Sequence, residues 1–191
     1  MGANANVYQI KIRLKHVKPA VWRKFLVEDN MKLPDFHKVI QTVMGWTNSH
    51  LHQFVIKDKY YGEPDEDSFG ETIDYKNLKL KDVLNFEKQK IIYEYDFGDG
   101  WEHEIVLEKI FNNRNIDNPI CLSGKRNCPP EDSGGPYGYM DLLEVISDPT
   151  NEDYKEMKSW IGEDFDPEYF DKEVINELLA TKDYGCISLL D

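Results

Sequence analysis

Tyr95-Asp96-Phe97-Gly98-Asp99-Gly100-Trp101-Glu102-His103 joins two strongly patterned runs, Ile91 to Phe97 and Trp101 to Phe111, through a glycine-rich corner. Asp-Gly between alternating apolar residues is a strong hairpin signal. A two-residue loop would set Tyr95 against Glu104 and Tyr93 against Val106, mixing the faces. A three-residue loop, Gly98-Asp99-Gly100, sets Phe97 against Trp101, Tyr95 against His103, Tyr93 against Ile105 and Ile91 against Leu107. Every apolar residue then falls on one face, and Glu94, Asp96, Glu102 and Glu104 fall on the other. Gly100 supplies the left-handed residue such a loop needs. The expected register is therefore the three-residue one, with Asp99 as a turn former.

On the N-terminal side, Val7 to Lys15 alternates cleanly, with Tyr8, Ile10, Ile12 and Leu14 inward, and reads as a half-buried strand. Pro19 marks a turn, and Val21 to Val27 reads as a strand returning beside the first. Lys11, Arg13 and Lys15, with Arg23, form a basic stripe expected to face acidic groups of the same chain. Leu33, Phe36, Val39, Ile40, Val43 and Met44 follow the helical period, with Pro34 and Asp35 in the first turn and Gly45 as the stop. Leu51 to Asp58, with His52, Phe54 and Ile56 on one side, reads as a third strand. Residues 57–76 read as a long charged surface loop, and Leu78 to Leu84 as one or two helical turns.

After the hairpin, Asn112 to Pro136 shows almost no hydrophobic period and reads as a long loop, of the kind that is functional or tied down. Helical patterns follow at Tyr139 to Ile146, Tyr154 to Ile161 and Lys172 to Leu179, with Asp171 as N-cap of the last. Strands early and helices late, without β-α alternation, predict an α+β fold. It has a mainly antiparallel sheet, a helix after the first strands and a C-terminal helical segment, in a single domain over residues 1–191.

The formal charge of −13 is unevenly spread. Residues 1–60 hold 10 basic and 4 acidic side chains, residues 61–150 hold 9 and 20, and residues 151–191 hold 4 and 12. Overall acidity argues against sequence-independent nucleic-acid binding, which rests on phosphate neutralisation. No apolar run approaches a membrane span, and MGANANVYQ lacks a signal-peptide core. Gly2 begins a myristoylation pattern that fails because residue 6 is Asn. Three cysteines do not make a disulfide framework, so a cytoplasmic location is expected.

The candidate chemistry lies in histidines and carboxylates. His50 and His52, two apart at the start of a strand, are expected to share a face and could supply metal ligands. His103 is expected on the aromatic face of the hairpin. The four hairpin carboxylates could hold a divalent ion, or could simply be solvated and answered by a neighbouring basic strand. Cys121 and Cys128 are separated by six residues, a weak spacing for zinc, and Cys186 is expected to be buried. Cys128-Pro-Pro-Glu-Asp-Ser-Gly-Gly-Pro-Tyr-Gly-Tyr139 is the most informative loop. Its glycines permit close approach, and it feeds a helix whose first amides could receive an anion.

Gly45-Trp46 with His50-Leu51-His52-Gln53-Phe54, then Tyr93 to His103, then Cys128 to Tyr139, in this order and spacing, resemble the plasmid pRiA4b Orf-3-like family of prokaryotic proteins. Tyr8-Gln9-Ile10-Lys11-Ile12, Pro19 and Trp22-Arg23 fit as well. The resemblance spans nearly the whole chain. It implies an association with plasmids and mobile elements and carries over no reaction, substrate or cofactor. Family members often have Cys where this chain has Ser133, so no three-cysteine metal site is implied here.

Three functions are weighed, in this order. The first is a non-enzymatic module that binds a protein or small molecule between the hairpin and the Cys128–Tyr139 loop. Its expected ligand-binding residues are His52, Tyr95, Trp101, His103, Glu131, Asp132 and Tyr137, with Trp46 as a further aromatic. The second is a metal-dependent hydrolase using His50, His52 and His103 with Asp96 or Glu131. The third is a nucleic-acid accessory factor. A hydrogen bond from His52 or His103 to Glu131 or Asp132 is expected to mark the site.

Overall fold

The computed structural model describes residues 5–64 and 72–186. The hairpin forms the middle of an eight-stranded sheet in the order β5-β4-β3-β6-β7-β1-β2-β8. The strands are β1 (Val7–Leu14), β2 (Trp22–Glu28), β3 (His52–Ile56), β4 (Lys59–Gly62), β5 (Thr72–Asp74), β6 (Lys90–Tyr95), β7 (Trp101–Phe111) and β8 (Ile120–Lys125). All neighbours are antiparallel except β4 and β5. The helices are α1 (Leu33–Met44), α2 (Leu80–Val83), α3 (Gly135–Ser147), α4 (Tyr154–Ile161) and α5 (Lys172–Leu179). The fold is α+β, as the pattern predicts. No helix among the described residues is long and apolar enough to cross a membrane.

The alternating strands do what their pattern dictates. Tyr8, Ile10, Ile12 and Leu14 of β1 and Ile91, Tyr93 and Tyr95 of β6 are buried with Trp101, His103, Ile105 and Leu107 of β7. The apolar stripe of α1 lies on this face: Phe36 packs between Phe25 of β2, at a ring distance of 6.2 Å, and Phe54 of β3, at 6.0 Å. Gly45, at φ 105°, stops α1 in the left-handed conformation, and its N–H donates to Gln41 O at 2.8 Å.

The opposite face carries the carboxylates, and neighbouring basic residues answer them. Arg13 meets Glu104 (3.4 Å), Lys15 meets Glu102, and Lys24 meets Glu108 (2.9 Å). Lys90 reaches Glu104 at 2.8 Å, and that hydrogen bond, with Arg13 adding, holds the Glu104 carboxyl below its usual range. Lys11 lies over the Trp22 ring at 5.1 Å. Arg23 does not belong to this stripe. Its strand parity is that of Phe25 and Val27, so it faces inward and is buried. Its guanidinium donates to Val43 O (2.7 Å), Met44 O (3.4 Å) and Lys125 O (3.0 Å). It thus ties the last carbonyls of α1, which have no intrahelical donor, to β8.

Other expectations need correction. The hairpin pairs Tyr95 with Trp101, Tyr93 with His103 and Ile91 with Ile105, so the loop is Asp96 to Gly100, five residues long. The shift is two residues, which leaves every retained strand residue on its expected face. Asp96 leaves the strand at φ 54°, and its Oδ1 accepts from Gly98 N (3.0 Å) and Asp99 N (3.3 Å). An Asx turn of this kind outcompetes one further cross-strand pair. Phe97 is consequently exposed and Asp96 is absent from the carboxylate face.

Residues 57–76 contain β4 and β5, while 65–71 lie outside the described residues. The expected loop from Asn112 to Pro136 contains β8, an edge strand without strong alternation. Asn176 of α5 holds it, bonding both the N–H (2.7 Å) and the C=O (3.1 Å) of Cys121. A helix side chain thus occupies the unpaired edge.

Candidate functional site

His50, in the turn between α1 and β3, is where the hairpin loop and the loop before α3 meet. Its Nε2 lies 3.6 Å from Asp96 Oδ2, 3.8 Å from Glu131 Oε2 and 3.4 Å from Asp132 Oδ1. The expected hydrogen bond between an acid of the Cys128–Tyr139 loop and His52 or His103 is not formed; the histidine beside these acids is His50, and the approach is a close contact rather than a hydrogen bond. His50 precedes the strand, so the parity that should put it beside His52 does not apply.

The three segments are locked to one another by backbone. Asp99 Oδ2 accepts from Gly134 N (3.1 Å), the N-cap residue of α3. The carboxylate of Asp99 therefore accepts from the N-cap amide of the helix N-terminus that could have received an external anion. Gly135 follows at φ 69°, and a Cβ there would lie 2.2 Å from Asp99 O. On the other side, Glu131 Oε1 accepts from Thr47 N (2.8 Å), Thr47 Oγ1 (2.9 Å) and Tyr95 OH (3.0 Å). Tyr95 OH in turn accepts from Ser49 N at 3.0 Å. Burial, with the Glu131 carboxylate adding, pushes the Tyr95 phenol well above its ordinary value, against the hydrogen bonds from Ser49, which lower it. Asp96, which is buried, and Glu131, which is partly buried, each thus have one oxygen fixed by protein donors and the other turned toward His50.

His50 Nε2 and Glu131 Oε2 are shielded from solvent, and neither has a hydrogen-bond partner among the described residues. The Asp96 side chain is only 9% exposed, while that of Asp132 is 75% exposed. One wall of the group is sealed and the other is wet. Asp132 and Ser133 also border a cleft of about 390 Å³ between α3 and α4, floored by Leu142, Val145, Met157 and Trp160.

The remaining expected site residues lie elsewhere. His103 is fully buried; Trp46 Nε1–H donates to its Nε2 (3.1 Å), so Nδ1 carries the proton and faces the carbonyls of Tyr93 (3.2 Å) and Trp101 (3.1 Å). Burial pushes it down to about 4. His52 stacks on His37 with ring centroids 3.4 Å apart and the rings 2° from parallel, and bonds Tyr75 OH at 2.9 Å. Burial drives His52 well below its ordinary value, with His37 adding, and burial drives His37 to about 4. Trp101 and Trp46 are buried in the core, and Tyr95 meets the group through its hydroxyl and through its ring, which lies edge-on to His50 at 5.8 Å. Tyr137 is 74% exposed on α3 and takes no part.

Sequence reasoning missed His37 and Gln41, one helical turn apart, which both bond Tyr93 OH at 2.8 Å. It also missed Thr47 and Ser49. The signal for the helix pair was present, because both lie on the buried side of α1 among its apolar residues. Cys121 and Cys128 remain thiols, both raised by burial, Cys121 to about 11. Neither joins the His50 group, and Cys186 is half-buried rather than buried.

An α+β sheet protein with histidine and carboxylates gathered at one hairpin end is the class this geometry defines. The chain belongs to the family described as plasmid pRiA4b ORF-3-like protein, whose profile matches residues 6–174. It is 40% identical to the uncharacterized protein y4hQ of Sinorhizobium fredii (strain NBRC 101917 / NGR234) over 159 residues, 83% of this chain and 82% of that one. The crystal structure of MM3350, a protein of unknown function from Methanosarcina mazei Go1, superposes with a TM-score of 0.81 at 38% identity, covering 89% of this chain and 97% of that one.

Proposed function

We propose that the chain is a non-enzymatic binding module whose ligand seat is the junction of the hairpin loop and the loop before α3. His50, Asp96, Glu131 and Asp132 are its recognising groups, and the part recognised is electron-poor: a cation or the N–H edge of a small molecule or protein side chain. One observation carries this reading: His50 Nε2 and Glu131 Oε2 lie 3.8 Å apart, shielded from water and without a hydrogen-bond partner among the described residues. Each such atom costs about 1–3 kcal/mol, a large fraction of a net stability of roughly 5–15 kcal/mol. A ligand that satisfies both offsets that cost.

A hydrolase built on His50, His52 and His103 together finds no support, because the last two face aromatic partners in the core. Nucleic-acid binding through β1 is disfavoured by the glutamates already paired with its basic stripe. A cytoplasmic location belongs to the same proposal and is supported by the thiols Cys121 and Cys128.

The test is a set of amide NMR spectra recorded with millimolar guanidinium, primary ammonium and divalent metal salts. Perturbations should centre on residues 48–50, 97–99 and 131–134. Responses confined to the α3–α4 cleft, or no localised response to any member of the panel, would overturn the reading.

A further inference from the structure

We infer that the ligand seat is a divalent-metal site: His50 Nε2, Asp96 Oδ2 and Asp132 Oδ1 coordinate one ion, and Glu131 lies beside His50 as an accompanying charge. The inference rests on the proposed binding function and names its ligand.

The spacing supports it first. The three donor atoms lie within 4.8 Å of one another, and His50 Nε2 is 3.4–3.8 Å from all three carboxylate oxygens. Donors about 2.1 Å from a shared ion sit about 3.0–3.4 Å apart when adjacent in tetrahedral or octahedral geometry. The His50 separations from Asp96 and Asp132 are within a few tenths of an ångström of that range, and the exposed Asp132 side chain can move to close the set onto an ion.

An acidic cluster with one histidine would be weak grounds alone. The second observation is the side chain of Asp96, nine-tenths buried, whose Oδ2 receives no hydrogen bond from a described residue and points to His50. Glu131 Oε2 and His50 Nε2 are also unpartnered among the described residues. Ordinary surface carboxylates have both oxygens in water.

The surroundings are arranged as an outer shell would be. Asp96 Oδ1 is held by two loop amides, and Glu131 Oε1 by Thr47 and Tyr95, so the orientation of each free oxygen is set by groups that would not touch the ion. One imidazole with two carboxylates suits a first-row ion that accepts nitrogen as well as oxygen, Zn²⁺ or Mn²⁺, better than Mg²⁺ or Ca²⁺, which take oxygen sets. The exposed side at Asp132 leaves room for water or a ligand on the ion, facing the α3–α4 cleft.

The experiment is calorimetric titration of tag-free, chelator-treated protein with Mn²⁺ and Zn²⁺, with Mg²⁺ and Ca²⁺ as comparisons, followed by thermal melts. One Mn²⁺ or Zn²⁺ per chain should bind saturably and raise the melting temperature. His50→Gln and Asp132→Asn should each weaken binding at least tenfold. Asp132 is mostly exposed and Asn tolerates its left-handed backbone, so Asp132→Asn should fold normally and remain decisive. No saturable binding of either ion up to millimolar concentration, or unchanged binding in both His50→Gln and Asp132→Asn, would overturn the metal site. If guanidinium or ammonium salts still perturb residues 48–50 and 131–134 in that event, the binding function stands and only its metal is wrong.

Discussion

Among single residues, the buried histidines set the response to acid. His37 and His103 are neutral in the fold and lowered to about 4, against about 6.5 in the unfolded chain. The unfolded state therefore binds more protons between these values, so stability is fully present above about pH 6.5 and falls as pH drops toward 4. Each histidine contributes roughly 3 kcal/mol over that window. Protonating His103 Nε2 would also set it donor to donor against Trp46 Nε1–H. Urea unfolding should give a midpoint that is flat from pH 7 to 8 and declines steadily from pH 6.5 to 5. A midpoint unchanged at pH 5 would show that these rings are not buried and neutral.

The decisive contact between elements is backbone on backbone, the hairpin loop against the start of α3. Gly135→Ala combines a left-handed conformation, costing about 1–2 kcal/mol, with a Cβ 2.2 Å from Asp99 O. Gly100→Ala meets the same backbone cost at φ 69° but has nothing within 4 Å. Gly100→Ala should lower stability by about 1–2 kcal/mol. Gly135→Ala should lose clearly more, and should also disturb the amides of residues 97–99. Equal losses in thermal melts would mean that the two loops do not touch.

For the whole molecule, the net charge of −13 is organised so that the basic β1 and the acidic β7 answer each other across the sheet. Exposed ion pairs of this kind contribute about 0–1 kcal/mol each. Reversing Lys11 and Arg13 to Glu should therefore lower stability by only about 1 kcal/mol, more at low salt than at high. Retention on a DNA column at moderate salt should be as negligible as in the wild type. Tight, salt-sensitive retention of the wild type would restore a nucleic-acid role.

The alternating runs determined which residues of β1, β6 and β7 face inward, because a strand's period of two permits no other burial of Tyr8, Ile10, Ile12, Tyr93 and Ile105. The 3.6 period and Gly45 likewise determined α1 from Leu33 to Met44. Register was not legible: moving the hairpin pairing by two residues keeps every face, so the pattern cannot tell Tyr95 opposite His103 from Tyr95 opposite Trp101. The hydrogen bonds of Asp96 to its own loop made that choice. β8 was hidden because an edge strand tied down by Asn176 needs no alternating pattern of its own. That the carboxylates of Asp96, Glu131 and Asp132 converge on His50 rather than His52 or His103 was decided only by tertiary structure. The donors come from three segments far apart in the chain, and they meet because Asp99 caps α3 and Gly135 lets two backbones come into contact.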